Sequence, residues 1–341
     1  MGARMKKRAA LIHTGGTFVM EKNMTGRLTP GHSAVSSIEN HLLPRYPDIF
    51  VDQIELFNID SSLFTPDYWI LLADKIDELY RMYDGFIIIH GTDTLAYTAA
   101  ALSFMLINLD KPVVITGSQL PLLERRSDAF LNLSSALEVI GDGALKEVSV
   151  VFNNKVYRGN RIKKRDVWDF HAFFSPNYPV LIKLGIGFDK KESLFLTPGA
   201  GVFKTDTRIC RDVLLISFYP GLDFSFYITL VKNSKVKGIV IEAYGSGNIP
   251  SDNRTLDNLF SEAAKHGIVV VVCSQSPVGK VNLELYEAAE KADRYGLISG
   301  GDMTKEAALV KLMVALGRFQ TREEVKDFML HNIAGEKDKQ G

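Results

Sequence analysis

Phe86-Ile87-Ile88-Ile89-His90-Gly91-Thr92-Asp93-Thr94 opens with four apolar residues and then breaks into a polar turn. A short, continuous apolar run bounded by a turn reads as a strand buried on both faces. Beyond the turn, Leu95, Ala99, Leu102 and Leu106 recur at helical spacing, so Thr94 to Leu106 reads as a helix. Outward from this unit the alternation repeats, with Pro112-Val113-Val114-Ile115-Thr116 as a strand and Ser127 to Ile140 as the next helix. Upstream, Ala9 to His13 reads as the first buried strand and runs into Thr14-Gly15-Gly16-Thr17. A second series begins at Val213-Leu214-Leu215-Ile216 and continues at Gly238-Ile239-Val240-Ile241 and Ile268-Val269-Val270-Val271-Val272. Alternating strands and helices predict parallel sheets with helical crossovers.

A chain of 341 residues is long enough for two compact units, each with its own core. Residues from about Phe188 to Asp212 are rich in Lys, Gly, Thr and Pro and lack sustained periodicity, which marks a linker. The expected organisation is α/β: a larger N-terminal domain over 1–190, a linker over 191–212 and a smaller C-terminal domain over 213–341. Each domain is expected to carry a mainly parallel sheet flanked by helices.

The composition, 46% hydrophobic and 23% charged, is that of a soluble globular protein. Lys plus Arg and Asp plus Glu balance at 40 each, so no global field attracts nucleic acid or an anionic membrane, and a small, nearly neutral substrate fits. Cys210 and Cys273 match no metal-ligand spacing and suit a reducing compartment. Seven histidines are scattered without a paired-ligand motif, so neither a metal nor another cofactor is expected. Arg4, Lys6, Lys7 and Arg8 precede an apolar run that stops at His13, too short for a signal peptide. No segment approaches the roughly 20 apolar residues of a membrane span. A cytoplasmic protein is expected.

Open sheets of this kind bind ligands beyond the carboxyl ends of their strands, and the polar motifs follow strands. Thr14-Gly15-Gly16-Thr17 is either a plain tight turn or a turn that offers a hydroxyl to a closely approaching ligand. In His90-Gly91-Thr92-Asp93-Thr94, Asp93 or Thr94 could simply cap the following helix. Asp60-Ser61-Ser62 has the composition of ordinary turn chemistry. Tyr157-Arg158-Gly159-Asn160-Arg161-Ile162-Lys163-Lys164 reads as a solvated cationic surface unless it is buried beside Asp93.

Taken together, these segments resemble the asparaginase/glutaminase family, and in particular its type I bacterial asparaginases. The likeness extends to Lys111-Pro112-Val113-Val114-Ile115-Thr116-Gly117-Ser118-Gln119, Arg126-Ser127-Asp128, Phe152-Asn153-Asn154, Ser175-Pro176-Asn177, Tyr244-Gly245 and Gly279-Lys280-Val281-Asn282, and runs from about residue 8 to about 335. Both threonine motifs in order, each after a strand, are far more specific than either alone. The resemblance implies hydrolysis of L-asparagine to L-aspartate and ammonia, with Thr17 as nucleophile and Thr92, Asp93 and Lys164 as a second hydroxyl–carboxylate–ammonium set. It implies that Asp60, Ser61 and Ser62, with Thr92 and Asp93, hold the substrate, and that the protein forms homodimers or homotetramers. A hydroxyl is a poor nucleophile at its free pKa, so a relay that accepts its proton is chemically required.

The chain departs from the family pattern in places. Arg27 stands where many members carry a loop tyrosine, which leaves Tyr286 as a substitute phenol donor. Glu242 and Ser276 stand where a regulated member has arginine and cysteine, so activation by asparagine at a second site is expected to be weak or absent. A phosphate-binding module would need a glycine-rich signature that does not occur, and Tyr244-Gly245-Ser246-Gly247-Asn248 is not a serine nucleophile elbow. Within the fold, the alternatives are an amidohydrolase acting on glutamine or a D-amino acid amide, the amidase subunit of a tRNA-dependent amidotransferase, or a non-catalytic amino-acid sensor.

Overall fold

The computed structural model describes residues 6–338 except 24, 32, 234, 251, 286 and 287. β1 (Lys7–Gly15) contains the expected first strand, buried from Ala9 onward. It pairs in parallel with β2 (Ile49–Ile59) on one side and β3 (Gly85–Ile89) on the other. β4 (Val113–Thr116) and β5 (Val148–Phe152) extend the parallel run. β6 (Lys155–Arg158), β7 (Ile182–Leu184) and β8 (Phe188–Lys190) finish the sheet antiparallel.

The order across the eight strands is β8-β7-β6-β5-β4-β3-β1-β2. The chain builds outward from β1 to β2, then returns to add β3, β4 and β5 on the other side. The crevice at such a reversal, between β1 and β3, is where an open α/β sheet accepts a ligand.

Three crossover helices explain the periodicities. α1 (Pro66–Leu79) buries Trp69, Leu72, Ala73, Ile76 and Leu79, one stripe at helical spacing. α2 (Leu95–Met105) is buried on nearly every side, which accounts for its run of alanines. α3 (Ala129–Asp142) buries Ala129, Leu133, Ala136, Leu137 and Ile140 and ends on Gly143 in the left-handed region, whose N–H bonds the Val139 carbonyl. Both α2 and α3 start one or two residues later than periodicity suggested.

The chain divides between Thr207 and Arg208 into two compact units. Residues 191–207 pack on the first unit: the Leu196 N–H donates to Glu147, and Lys204-Thr205 pairs antiparallel with Leu106-Ile107. In the second unit, β9 (Val213–Ser217), β10 (Gly238–Ala243), β11 (Val269–Ser274) and β12 (Ile298–Ser299) form a parallel sheet in that order. Its core joins Ile239, Ile241, Val270 and Val272 to Leu259 and Phe260 of α4 (Arg254–Lys265).

The cationic run at 157–164 is not a solvated face. Arg158 and Arg161 are buried and stack over the Tyr178 ring, 4.5 and 4.8 Å from its centroid. Arg158 Nε donates to Glu147 Oε2 at 2.6 Å, and both side chains are only 3% exposed. Removing one member of such a pair strands the other charge without water. Glu147→Ala is therefore expected to lower the unfolding free energy by about 3–5 kcal/mol, measured by urea denaturation.

Candidate active site

β1 and β3 end side by side at the reversal, and their turns touch through glycine. Gly16 has φ 78°, and a Cβ there would lie 2.3 Å from Gly91 Cα, so only glycine allows this approach. Between His13 and Gly15 the β1–β2 register jumps from Glu55 to Ile59. Such an irregularity re-aims the strand end, and it brings Asp60-Ser61-Ser62 up beside the two turns. The Gly16 N–H donates to the Ile59 carbonyl at 3.0 Å. A Cβ on Gly91 would lie 2.6 Å from Ser61 Oγ, and Thr94 Oγ1 donates to the Ser61 carbonyl at 2.8 Å. The segments 14–17, 58–62 and 90–94 thus lock together by backbone contact.

Thr17 begins a 3-10 turn, Thr17–Val19, and is half-buried, while Phe18 and Val19 sink into the core beneath it. Thr92 is buried, and its hydroxyl accepts from Lys164 Nζ at 2.8 Å. The same ammonium donates to Asp93 Oδ1 at 2.6 Å. Lys164 is set at this depth by a short antiparallel pairing of Lys163-Lys164 with Phe173-Phe174. The Asp93 side chain remains 64% exposed, open to a ligand.

Thr94 occupies the N-cap position of α2 but does not cap it, because its hydroxyl is spent on Ser61. Asp60 does perform turn chemistry: its carboxylate accepts the Ser62 N–H at 2.8 Å. Ser61 is buried, whereas Asp60 and Ser62 are exposed. Tyr286 lies outside the described residues.

Two further groups belong to the arrangement. Gln119 Nε2 donates to the Asp169 carbonyl at 3.0 Å while its Oε1 faces Thr92 Oγ1 at 3.5 Å, so it links the Thr92 turn to the loop after Lys164. His90 is fully buried, with Nδ1 2.7 Å from the Gly91 carbonyl and Nε2 2.8 Å from Thr98 Oγ1. The Gly91 carbonyl can only accept, so the proton sits on Nδ1 and Nε2 accepts from the Thr98 hydroxyl, whose oxygen also takes a bond from Trp69 Nε1. Burial holds the imidazole down to about 4, neutral across the physiological range. Gln119 follows β4, the strand beside β3, and its signals in the sequence were that position after a strand end and its place in the segment Lys111–Gln119 that carries the family likeness.

Elsewhere, Glu242 is buried on β10, accepts the Ser217 hydroxyl and lies 3.4 Å from Lys305 Nζ. Ser276 is exposed, its N–H bonded to Ser274. Gly245-Ser246-Gly247 forms a tight turn closed by the Asn248 N–H on the Tyr244 carbonyl at 2.7 Å. Among the described residues, no group of three His, Cys, Asp or Glu side chains is arranged to hold a metal, and no helix is long and apolar enough to cross a membrane.

The reversal point of this α/β sheet thus gathers the Thr92 hydroxyl, the Asp93 carboxylate and the Lys164 ammonium beside the turn of Thr17, in a two-domain α/β chain. Residues 8–194 match the family model "Asparaginase, N-terminal", and residues 212–329 match "Glutaminase/Asparaginase C-terminal domain". L-asparaginase 1 of Escherichia coli strain K12 is 38% identical over 334 residues, covering 97% of this chain and 98% of that protein. The structure of the thermostable L-asparaginase from Thermococcus kodakarensis matches with a TM-score of 0.90 at 36% identity, covering 98% of this chain and all of that one. L-asparaginase I from Vibrio cholerae O1 biovar eltor matches with 0.89 at 36% identity over the same shares. The chain belongs to the asparaginase family and is an amidohydrolase of that family.

Proposed function

We propose that this amidohydrolase is an L-asparaginase in which Thr17 attacks the side-chain amide carbon of L-asparagine. The observation that carries the reading is the glycine lock between the turns of Thr17 and Thr92, with Lys164 bonded to both Thr92 and Asp93. The Thr17 oxygen forms an ester bond to the amide carbon, and the hydroxyl proton passes to the departing nitrogen, which leaves as ammonia. Water then cleaves the ester, releasing aspartate and restoring the hydroxyl. Thr92 and Lys164 relay the proton, since a hydroxyl needs such a partner to act as nucleophile. Backbone N–H groups of the two glycine-flanked turns stabilise the oxyanion. The substrate carboxylate is favoured by the N-terminus of α2, and Asp60, Ser61, Ser62 and Asp93 hold its amino-acid end.

Asparagine and glutamine differ by one methylene, worth roughly 1–3 kcal/mol of discrimination. Ammonia release with each amide as sole substrate tests the assignment. The reading expects the higher kcat/KM with asparagine, and a preference for glutamine or a D-amino acid amide would replace it. We read the enzyme as cytoplasmic, serving asparagine breakdown as a homodimer or homotetramer, by its likeness to full-length type I relatives. The buried, lysine-paired Glu242 also favours simple kinetics. Asparagine saturation is expected to be hyperbolic, and a sigmoidal curve would count against that expectation.

A further inference from the structure

The imidazole of His13 sits in β1, one residue before the Thr14 turn, and is 2% exposed. Its Nε2 lies 3.0 Å from Gln53 Oε1 on the neighbouring strand. Gln53 Nε2 donates to the Val35 carbonyl at 3.1 Å and to Glu39 at 3.2 Å, which fixes its amide and leaves Oε1 as the acceptor. His13 therefore carries its proton on Nε2, and its Nδ1 is buried without a hydrogen-bond partner. Val35 and Glu39 belong to the helical turns Ser33–Ser37 and Ile38–Leu42. Those turns follow the hairpin of Met20–Lys22 and Leu28–Pro30, which itself follows Thr17. The returning end of that hairpin is also tied down, with the Gly31 N–H on the Val19 carbonyl and Asn58 Nδ2 on the Gly31 carbonyl.

We infer that His13 is a positioning residue: as a neutral imidazole bonded to Gln53 it latches the end of β1 to the segment returning from the loop after Thr17, and a second proton, on the unpartnered Nδ1, weakens that latch. A proton on Nδ1 would create a buried N–H without an acceptor. The charged groups facing the ring are Glu55, its exposed neighbour across β2, and Glu39, reached through Gln53. Burial outweighs the Gln53 bond and the Glu55 carboxylate, which both favour the charged ring. Burial holds the His13 imidazole below its usual value, so the latched form binds a proton less readily than the released one. The latch is therefore at full strength above about pH 6.5 and weakens as pH falls below it.

This inference rests on Thr17 as the nucleophile. The test measures kcat and KM from about pH 5 to 8 for the wild type, His13→Gln and His13→Leu. Glutamine keeps a donor toward Gln53 without a titrating group, whereas leucine removes the bond. His13→Leu is expected to lower kcat about tenfold with KM little changed, since small misplacements near the chemistry are costly. His13→Gln is expected to keep the wild-type kcat at neutral pH and to shift the acid limb downward. An unchanged kcat in folded His13→Leu, or an unchanged acid limb in His13→Gln, overturns it; if the leucine variant fails to fold, the glutamine variant decides alone. An active Thr17→Ala variant would instead overturn the assignment of the nucleophile, so the two failures are separate.

Discussion

Thr17→Ala is expected to reduce kcat for asparagine hydrolysis on the order of 10⁴-fold, because removing a nucleophile leaves only binding and electrostatic stabilisation to accelerate the reaction. The substitution deletes one half-buried hydroxyl and leaves Phe18 and Val19, the core residues of the same turn, in place. Binding of the product aspartate, followed calorimetrically, is expected to persist within a few-fold, since its proposed contacts lie on Asp60, Ser61 and Asp93. Thr17→Ser restores the hydroxyl and is expected to recover much of the rate. Turnover by Thr17→Ala near the wild-type level, from protein free of other amidases, would remove residue 17 from the chemistry.

Lys164→Met is expected to cost roughly 10²–10⁴-fold in kcat, the usual range for losing a positioned proton-transfer group. Methionine keeps the length and much of the apolar stem, but it removes the 2.8 Å and 2.6 Å bonds to Thr92 and Asp93. Arginine is not expected to rescue, because a planar fork cannot replace a compact ammonium shared between two acceptors. The ion pair opens to solvent through Asp93, so its loss should leave the thermal midpoint nearly unchanged. A large rate loss with little change in stability is the signature to look for. Equal losses of stability and rate would mean that Lys164 serves the fold instead.

The parallel part of the N-terminal sheet was legible because strands buried on both faces leave uninterrupted apolar runs, as at Phe86–Ile89, and because α1 and α3 each bury a single stripe. Its antiparallel end was not. β6 is four residues long and carries Lys155 and Arg158, and the partner that makes Arg158 tolerable, Glu147, comes from outside the strand. A local sign did exist: Asn153 and Asn154 both have positive φ, the geometry of a tight hairpin turn, and asparagine is among the few residues that accept it. The candidate site was legible as motifs, since each hydroxyl follows a strand. The register jump at Ile59, the contact of Gly16 with Gly91 and the bridge through Gln119 join residues remote in sequence, and no local pattern encodes them. His13 illustrates the same limit, because a histidine in an apolar strand reads as packing until Gln53 and the helical turns beyond it are seen.

In the proposed mechanism one hydroxyl, on Thr17, becomes esterified while the neighbouring Thr92–Lys164 set moves the proton. Acid-quenched turnover of asparagine by the wild type and by the slow Lys164→Met variant, followed by peptide mapping in a mass spectrometer, tests it most directly. An aspartyl ester is expected on the peptide containing Thr17 and on no other peptide. An ester carried by Thr92, or by any residue outside the turn after β1, would contradict it.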